Sequence, residues 1–260
     1  RLARVEVDPD KLYPQLDYSN DVAPRNSQVE DPLTDATAKF VRQDYAGAES
    51  AAREMLATSP RMQEARIVLA RSLLAQNKTD EAEKEFRALV EDRLPIPLAL
   101  AWGNIGLAEI ALRKGQAAEA ARRFADAVQT DAEYASTLAA RQGRIRAEAA
   151  ANASPAVDDS AKTFITQLDA AIKSGRKAEL EALITPGELT DFVAGIVGSQ
   201  PEIWQTRVVR TEQLDANRLA VDVQLTTKQL GQDASGTAVL ILARAGGGWK
   251  LDGVGFFEVR

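Results

Sequence analysis

A chain of 260 residues with 38 acidic against 32 basic side chains carries a net charge of −6, which disfavours attraction to phosphate backbones and removes nucleic acid from the expected partners. It has no cysteine, hence no disulfide, thiolate metal site or thiol nucleophile, and no histidine, hence neither the commonest general base nor the commonest catalytic metal ligand. With apolar residues at 45% and charged residues at 27%, the composition is that of a folded chain long enough for two domains, for which neither catalysis nor a cofactor is expected.

Residues 1–30 read as an extended leader, since Pro9, Pro14 and Pro24 lie among Asp, Asn and Ser with no sustained period. Its Leu12, Tyr13, Leu16 and Tyr18 either pack along a neighbouring surface or belong to a disordered tail. The chain begins at Arg1 and not at methionine, which raises the expectation of a signal or membrane anchor outside it and of a bacterial periplasmic or envelope location, with the cytoplasm as the alternative. No apolar run within the chain approaches the roughly 18–20 residues that cross a bilayer.

From residue 31 the pattern becomes helical. Asp31 is placed to cap a helix with Pro32 at its first position, where the missing N–H is no loss. Stretches 34–59, 61–92, 98–130 and 132–151 repeat apolar residues three and four apart and are expected to pair as antiparallel helices, giving a helical domain over 31–151. A linker at 152–158 carries Asn152, Ser154 and Pro155.

The second domain, 159–260, reads as three helices (160–174, 176–184 and 187–198) punctuated by Gly175 and Pro186-Gly187, followed by four strands. The strands are placed at 203–214, 218–228, 236–244 and 249–259 and make an antiparallel meander with helices on one face. In the second of them Leu219, Val221, Val223 and Leu225 share one face. Gly246-Gly247-Gly248 precedes a strand, so it is a hairpin turn and no phosphate cradle, while Gly253 and Gly255 mark a bulge or bend.

Within the helical domain, Ala48, Ala82 and Ala120 fall in one column. Ala52, Phe86 and Phe124 form a second, and Met55, Leu89 and Ala127 a third. The last repeat is lengthened by the Pro95/Pro97 loop, and Leu69-Ala70 matches Leu107-Ala108 in the preceding helices. This pattern resembles the tetratricopeptide repeat, over about residues 32–150.

The resemblance implies three helix pairs and a capping helix stacked as a solenoid, with a groove on its inner side for a protein or peptide partner. Carrying the repeat register over lines that groove with Ile67, Arg71, Leu74, Ile105, Glu109, Leu112 and Arg113. Trp102 faces the groove in the register fixed by Ala120 and packs between helices in a register shifted by two; both readings stand. The combination expected is therefore an α-solenoid followed by an α+β domain, acting as a non-enzymatic adaptor or scaffold, with an envelope-assembly subunit as one alternative.

The order of helices and strands in 158–260, ending GGGWKLDGVGFFEV, resembles the NTF2-like or cystatin-like α+β cone. That resemblance implies a pocket, and with it the alternative of a small-molecule binder or an enzyme, for which Trp204, Asp222 and Asp252 are the candidates, with Phe192, Trp249, Phe256 and Phe257 available as its walls. Asp222 lies opposite the apolar stripe and is expected to be solvated, and Asp252 beside Gly253 to be a turn residue.

Overall fold

The computed structural model describes residues 5–6, 22–23, 32–153, 155–187 and 189–259, without the side chains of 5–6, 22–23 and 256–259. The leader at 1–30 therefore lies outside the described residues but for strands β1 (Val5–Glu6) and β2 (Val22–Ala23), which pair antiparallel. The Asp31 cap also lies outside them, as do the side chains of Phe256 and Phe257 assigned as walls. The chain divides into two compact units, 1–147 and 148–260.

Helices α1 (Pro32–Val41), α2 (Tyr45–Thr58), α3 (Gln63–Ala75), α4 (Thr79–Val90), α5 (Pro97–Arg113) and α6 (Ala117–Thr130) belong to the first unit, and α7 (Tyr134–Ala150) runs across the division. They pack as the pairs α1/α2, α3/α4 and α5/α6, and successive pairs meet through α2/α3 and α4/α5. In addition α1 touches α3 and α3 touches α5, whereas among the described residues α2, α4 and α6 make at most marginal contact with one another. The odd-numbered helices are thus the more closely spaced row, and the array curves towards them.

The sequence columns explain the stacking. Ala48, Ala82 and Ala120 are fully buried, which allows close helix approach. The Phe86 and Phe124 rings also lie in the core, each in the space left by a glycine of the next helix, Gly106 and Gly143. A large side chain at Ala82 or Ala120 would cost about 1–3 kcal/mol through overpacking.

Each pair is closed by the same turn. Gln43, Asn77 and Gly115 have φ of 65°, 61° and 75°. After each of the three helices, this residue donates its N–H to the carbonyl three residues back, and its successor donates to the carbonyl five residues back, a Schellman ending. The longer connection between α4 and α5 is held by Gln63, whose side-chain amide donates to the Leu94 carbonyl at 2.9 Å and accepts from the Ile96 N–H at 3.0 Å.

On the outer side, ion pairs repeat along the array. Glu49 binds Arg53 of its own helix and Lys78 of the next pair, and Glu83 binds Arg87 and Lys114 in the same way. The pKa of Glu49 is lowered to about 2, chiefly by its bond to Lys78, with Gln76 and Arg53 adding to the effect against the opposing cost of burial.

The second unit comprises α8 (Asp159–Ser174), α9 (Lys177–Ala182), α10 (Thr190–Ser199) and strands β3 (Ile203–Gln213), β4 (Arg218–Gln229), β5 (Gln232–Ala245) and β6 (Gly248–Val259). The strands form one antiparallel sheet in the order β3-β4-β5-β6, the expected meander. Asp158 caps α8 by accepting from the Ser160 and Ala161 N–H groups, and Gly175 ends it in the left-handed conformation. The Leu219, Val221, Val223 and Leu225 stripe joins Phe164, Ile165 and Leu168 of α8 in one core.

Two features depart from the sequence reading. Strand β5 begins at Gln232 and not at 236, because Leu230 and Gly231 (φ 51° and 75°) make a two-residue turn that pairs Gln229 with Gln232. Asp222 is not solvated: it is buried, facing Arg210 across the β3/β4 ladder, where Arg210 forms a buried ion pair with Glu148. Charged side chains cover that part of the second face, so strand parity alone gave the wrong environment. The bulges in β6 fall at Asp252 and Gly255. Among the described residues no helix is long and apolar enough to cross a membrane.

Candidate functional site

The inner row of helices carries one convergence of aromatic and charged groups. Phe40 near the end of α1, Arg71 in α3 and Trp102 in α5 form a stack: the Arg71 guanidinium lies 4.5 Å from the Phe40 ring centroid and 3.6 Å from that of Trp102. Tyr45 meets Phe40 edge-on at 5.4 Å. The Trp102 indole N–H donates to Oε1 of Glu133, just before α7, at 2.8 Å.

These residues are neighbours for a reason visible in their numbers. Phe40, Arg71, Trp102 and Glu133 each follow the one before by thirty-one positions. That spacing is about one helical turn short of the 34 residues that separate equivalent positions of the first two pairs and about two turns short of the 38 that separate those of the next two, so a side chain on one inner helix meets a residue one to two turns earlier on the next. Phe40 and Glu133 were not singled out in the sequence analysis, where the thirty-one-residue offset would have found them.

Arg71 is half-buried, and desolvation lowers its pKa to about 10, with Glu133 and Tyr45 opposing the shift. It therefore stays charged at neutral pH. Cation–π contact with the two rings recovers part of the hydration the guanidinium has lost.

The remaining groove candidates differ in their surroundings. Ile67, Ile105 and Trp102 are buried in the stacking core. Leu74 and Leu112 are half-buried against it. Glu109 is taken by Arg146 of α7 at 2.5 Å. Arg113 is exposed and donates at 3.4 Å to the Leu74 carbonyl and the Asn77 side chain, both at the α3 turn. The floor of the inner face is thus closed apolar packing, and its polar, reachable groups are Arg71, Arg113 and Glu133.

In the second unit the three pocket candidates stand apart. Trp204 is on the core face of the sheet and Asp222 on the other, by strand parity. Asp252 is exposed at its bulge. Trp204 borders an open cleft of about 540 Å³ shared with Ile196, Pro201, Leu230 and Ala234. Asp169 of α8 accepts from the Thr206 N–H at 2.9 Å and its hydroxyl at 2.6 Å, and burial raises the Asp169 pKa despite these bonds and one from Trp204.

This architecture is that of a helical-repeat module followed by a small α+β unit. Residues 42–94, which hold α2, α3 and α4, match the model of the tetratricopeptide repeat family. Repeats of this family generally mediate protein–protein interaction. No curated protein matches the chain.

Proposed function

We propose that this chain is a non-enzymatic adaptor that holds a protein or peptide partner on the inner face of its helical array. The observation that carries the reading is the Phe40/Arg71/Trp102 stack: the array places a charged, half-buried side chain on the face towards which it curves. The family match over residues 42–94 supports the same use.

The test is crosslinking in the native cell followed by recovery of the chain. Arg71→Glu with Arg113→Glu should abolish partners that the wild type captures, whereas Lys84→Glu, on an exposed site of α4, should retain them. Identical capture by all three would remove the inner face from consideration.

The cleft beside Trp204 favours a second reading for the other unit. We infer an NTF2-like or cystatin-like cone there, supported by three helices leading into a four-stranded meander, with a small apolar ligand at the cleft. Ligand-induced thermal stabilisation that disappears in Leu230→Asp would support it, and stabilisation unchanged by that substitution would reject it.

A further inference from the structure

Arg71 is half-buried, whereas the other described arginines that meet no carboxylate, such as Arg113, Arg207 and Arg244, are exposed. Arg53, Arg66, Arg87, Arg122, Arg123, Arg146, Arg210 and Arg218 each hold a carboxylate. Among the described residues none comes within ion-pair distance of Arg71, and its recorded contacts are the two rings. Removing a charge from water without a counter-charge is unfavourable, and it persists here although Glu133 stands close enough to act on it electrostatically.

The geometry limits what can complete the site. With the Phe40 and Trp102 rings 4.5 Å and 3.6 Å from the guanidinium carbon, what Arg71 has left to offer a partner is its planar fork of N–H donors. A planar carboxylate matches such a fork with two parallel hydrogen bonds. A single carboxylate brings less negative charge beside Glu133 than a phosphate dianion does. Arg113, exposed on α5, adds a second cation on the inner row for a segment carrying more than one acid.

We propose that the edge of Arg71, held between Phe40 and Trp102, binds the carboxylate of an Asp or Glu side chain in an acidic peptide segment lying across α1, α3 and α5. This rests on the inner-face reading above and specifies the chemistry of the partner. Phe40 and Trp102 act as positioning residues: they fix the plane of the fork, and Glu133 fixes Trp102.

The test pans a random 12-residue peptide library against the full chain, the Arg71→Met variant and the Arg71→Lys variant, each first shown by circular dichroism to be folded. Wild type should enrich peptides rich in Asp and Glu, the best of which lose about tenfold or more in affinity when the contacting acid becomes Gln or Asn. The Met variant should lose the acidic preference. The Lys variant, which keeps the charge without the planar fork, should bind the wild-type peptides more weakly.

Enrichment of neutral peptides, or of acidic peptides equally by wild type and the Met variant, would overturn the Arg71 site while leaving an inner-face groove in place. Enriched peptides insensitive to both Arg71→Glu and Arg113→Glu, or no enrichment at all, would count against the groove itself.

Discussion

The ring of Phe86 fills the space of the side chain that Gly106 lacks. Phe124 and Gly143 repeat the arrangement one pair later. In the preceding pair the bulk is on the other side: the register that sets Leu107 over Leu69 puts Val68 at the glycine position and Ala52 at the phenylalanine position. Gly106→Ala should therefore lose about 1–2 kcal/mol by overpacking, in spite of alanine's better helix propensity. Adding Phe86→Leu should make the double variant less costly than the sum of its parts, as measured by urea unfolding; strict additivity would refute the pairing.

The three Schellman turns give a matched comparison. Gln43 has a β-carbon in a left-handed conformation that Gly115 adopts without one. Gln43→Gly is expected to stabilise by about 0.5–1 kcal/mol and Asn77→Gly by less, since asparagine tolerates this region, while Gly115→Ala destabilises by about 1 kcal/mol. Denaturation midpoints of the three variants should fall in that order.

Acid should weaken the outer ladder at a defined place. The folded-state pKa of Glu49 is about 2 against an ordinary 4.5, so its contribution is present above pH 4.5 and fades as pH falls from 4.5 towards 2. Allowing for solvent screening, that contribution is on the order of 1 kcal/mol. Unfolding of wild type and Glu49→Gln should differ by this amount at pH 7 and converge near pH 2. A difference that stays constant across the range would show that the ladder does not depend on the ionised carboxylate.

Arg71 and Arg210 should respond differently to the same change. Arg71→Met removes a charge that gains two ring contacts but bears an uncompensated loss of hydration, so stability should shift by less than about 1 kcal/mol in either direction. Arg210→Met breaks the buried ion pair with Glu148 and should cost about 3 kcal/mol or more. Equal losses measured by chemical unfolding would mean that Arg71 serves the fold and not a partner.

What the residues disclosed before the structure was the part governed by local period. Ala48, Ala82 and Ala120 announced the stacked pairs, and the alternation from Leu219 to Leu225 announced the buried face of the sheet. What stayed hidden depended on distances between elements. The Phe40/Arg71/Trp102 cluster requires an offset of one to two turns between adjacent inner helices, which a repeat alignment ignores. Ile67 and Ile105 were assigned to the groove by register, yet the inner helices approach so closely that both lie in the core. Asp222 was placed on the correct side of its strand, but nothing local to it tells that Arg210 and Glu148 occupy that side.

The amide of Gln63 substitutes for a missing stretch of backbone pairing, bonding both a carbonyl and an N–H of the segment between α4 and α5. Spare length at that corner is thereby tied down locally, and α5 still seats on α4 as though no residues had been added. Helical registry and linker size are separate variables in this molecule, and the corner next to Leu94 is the natural place to insert a tag or label without disturbing either neighbouring helix.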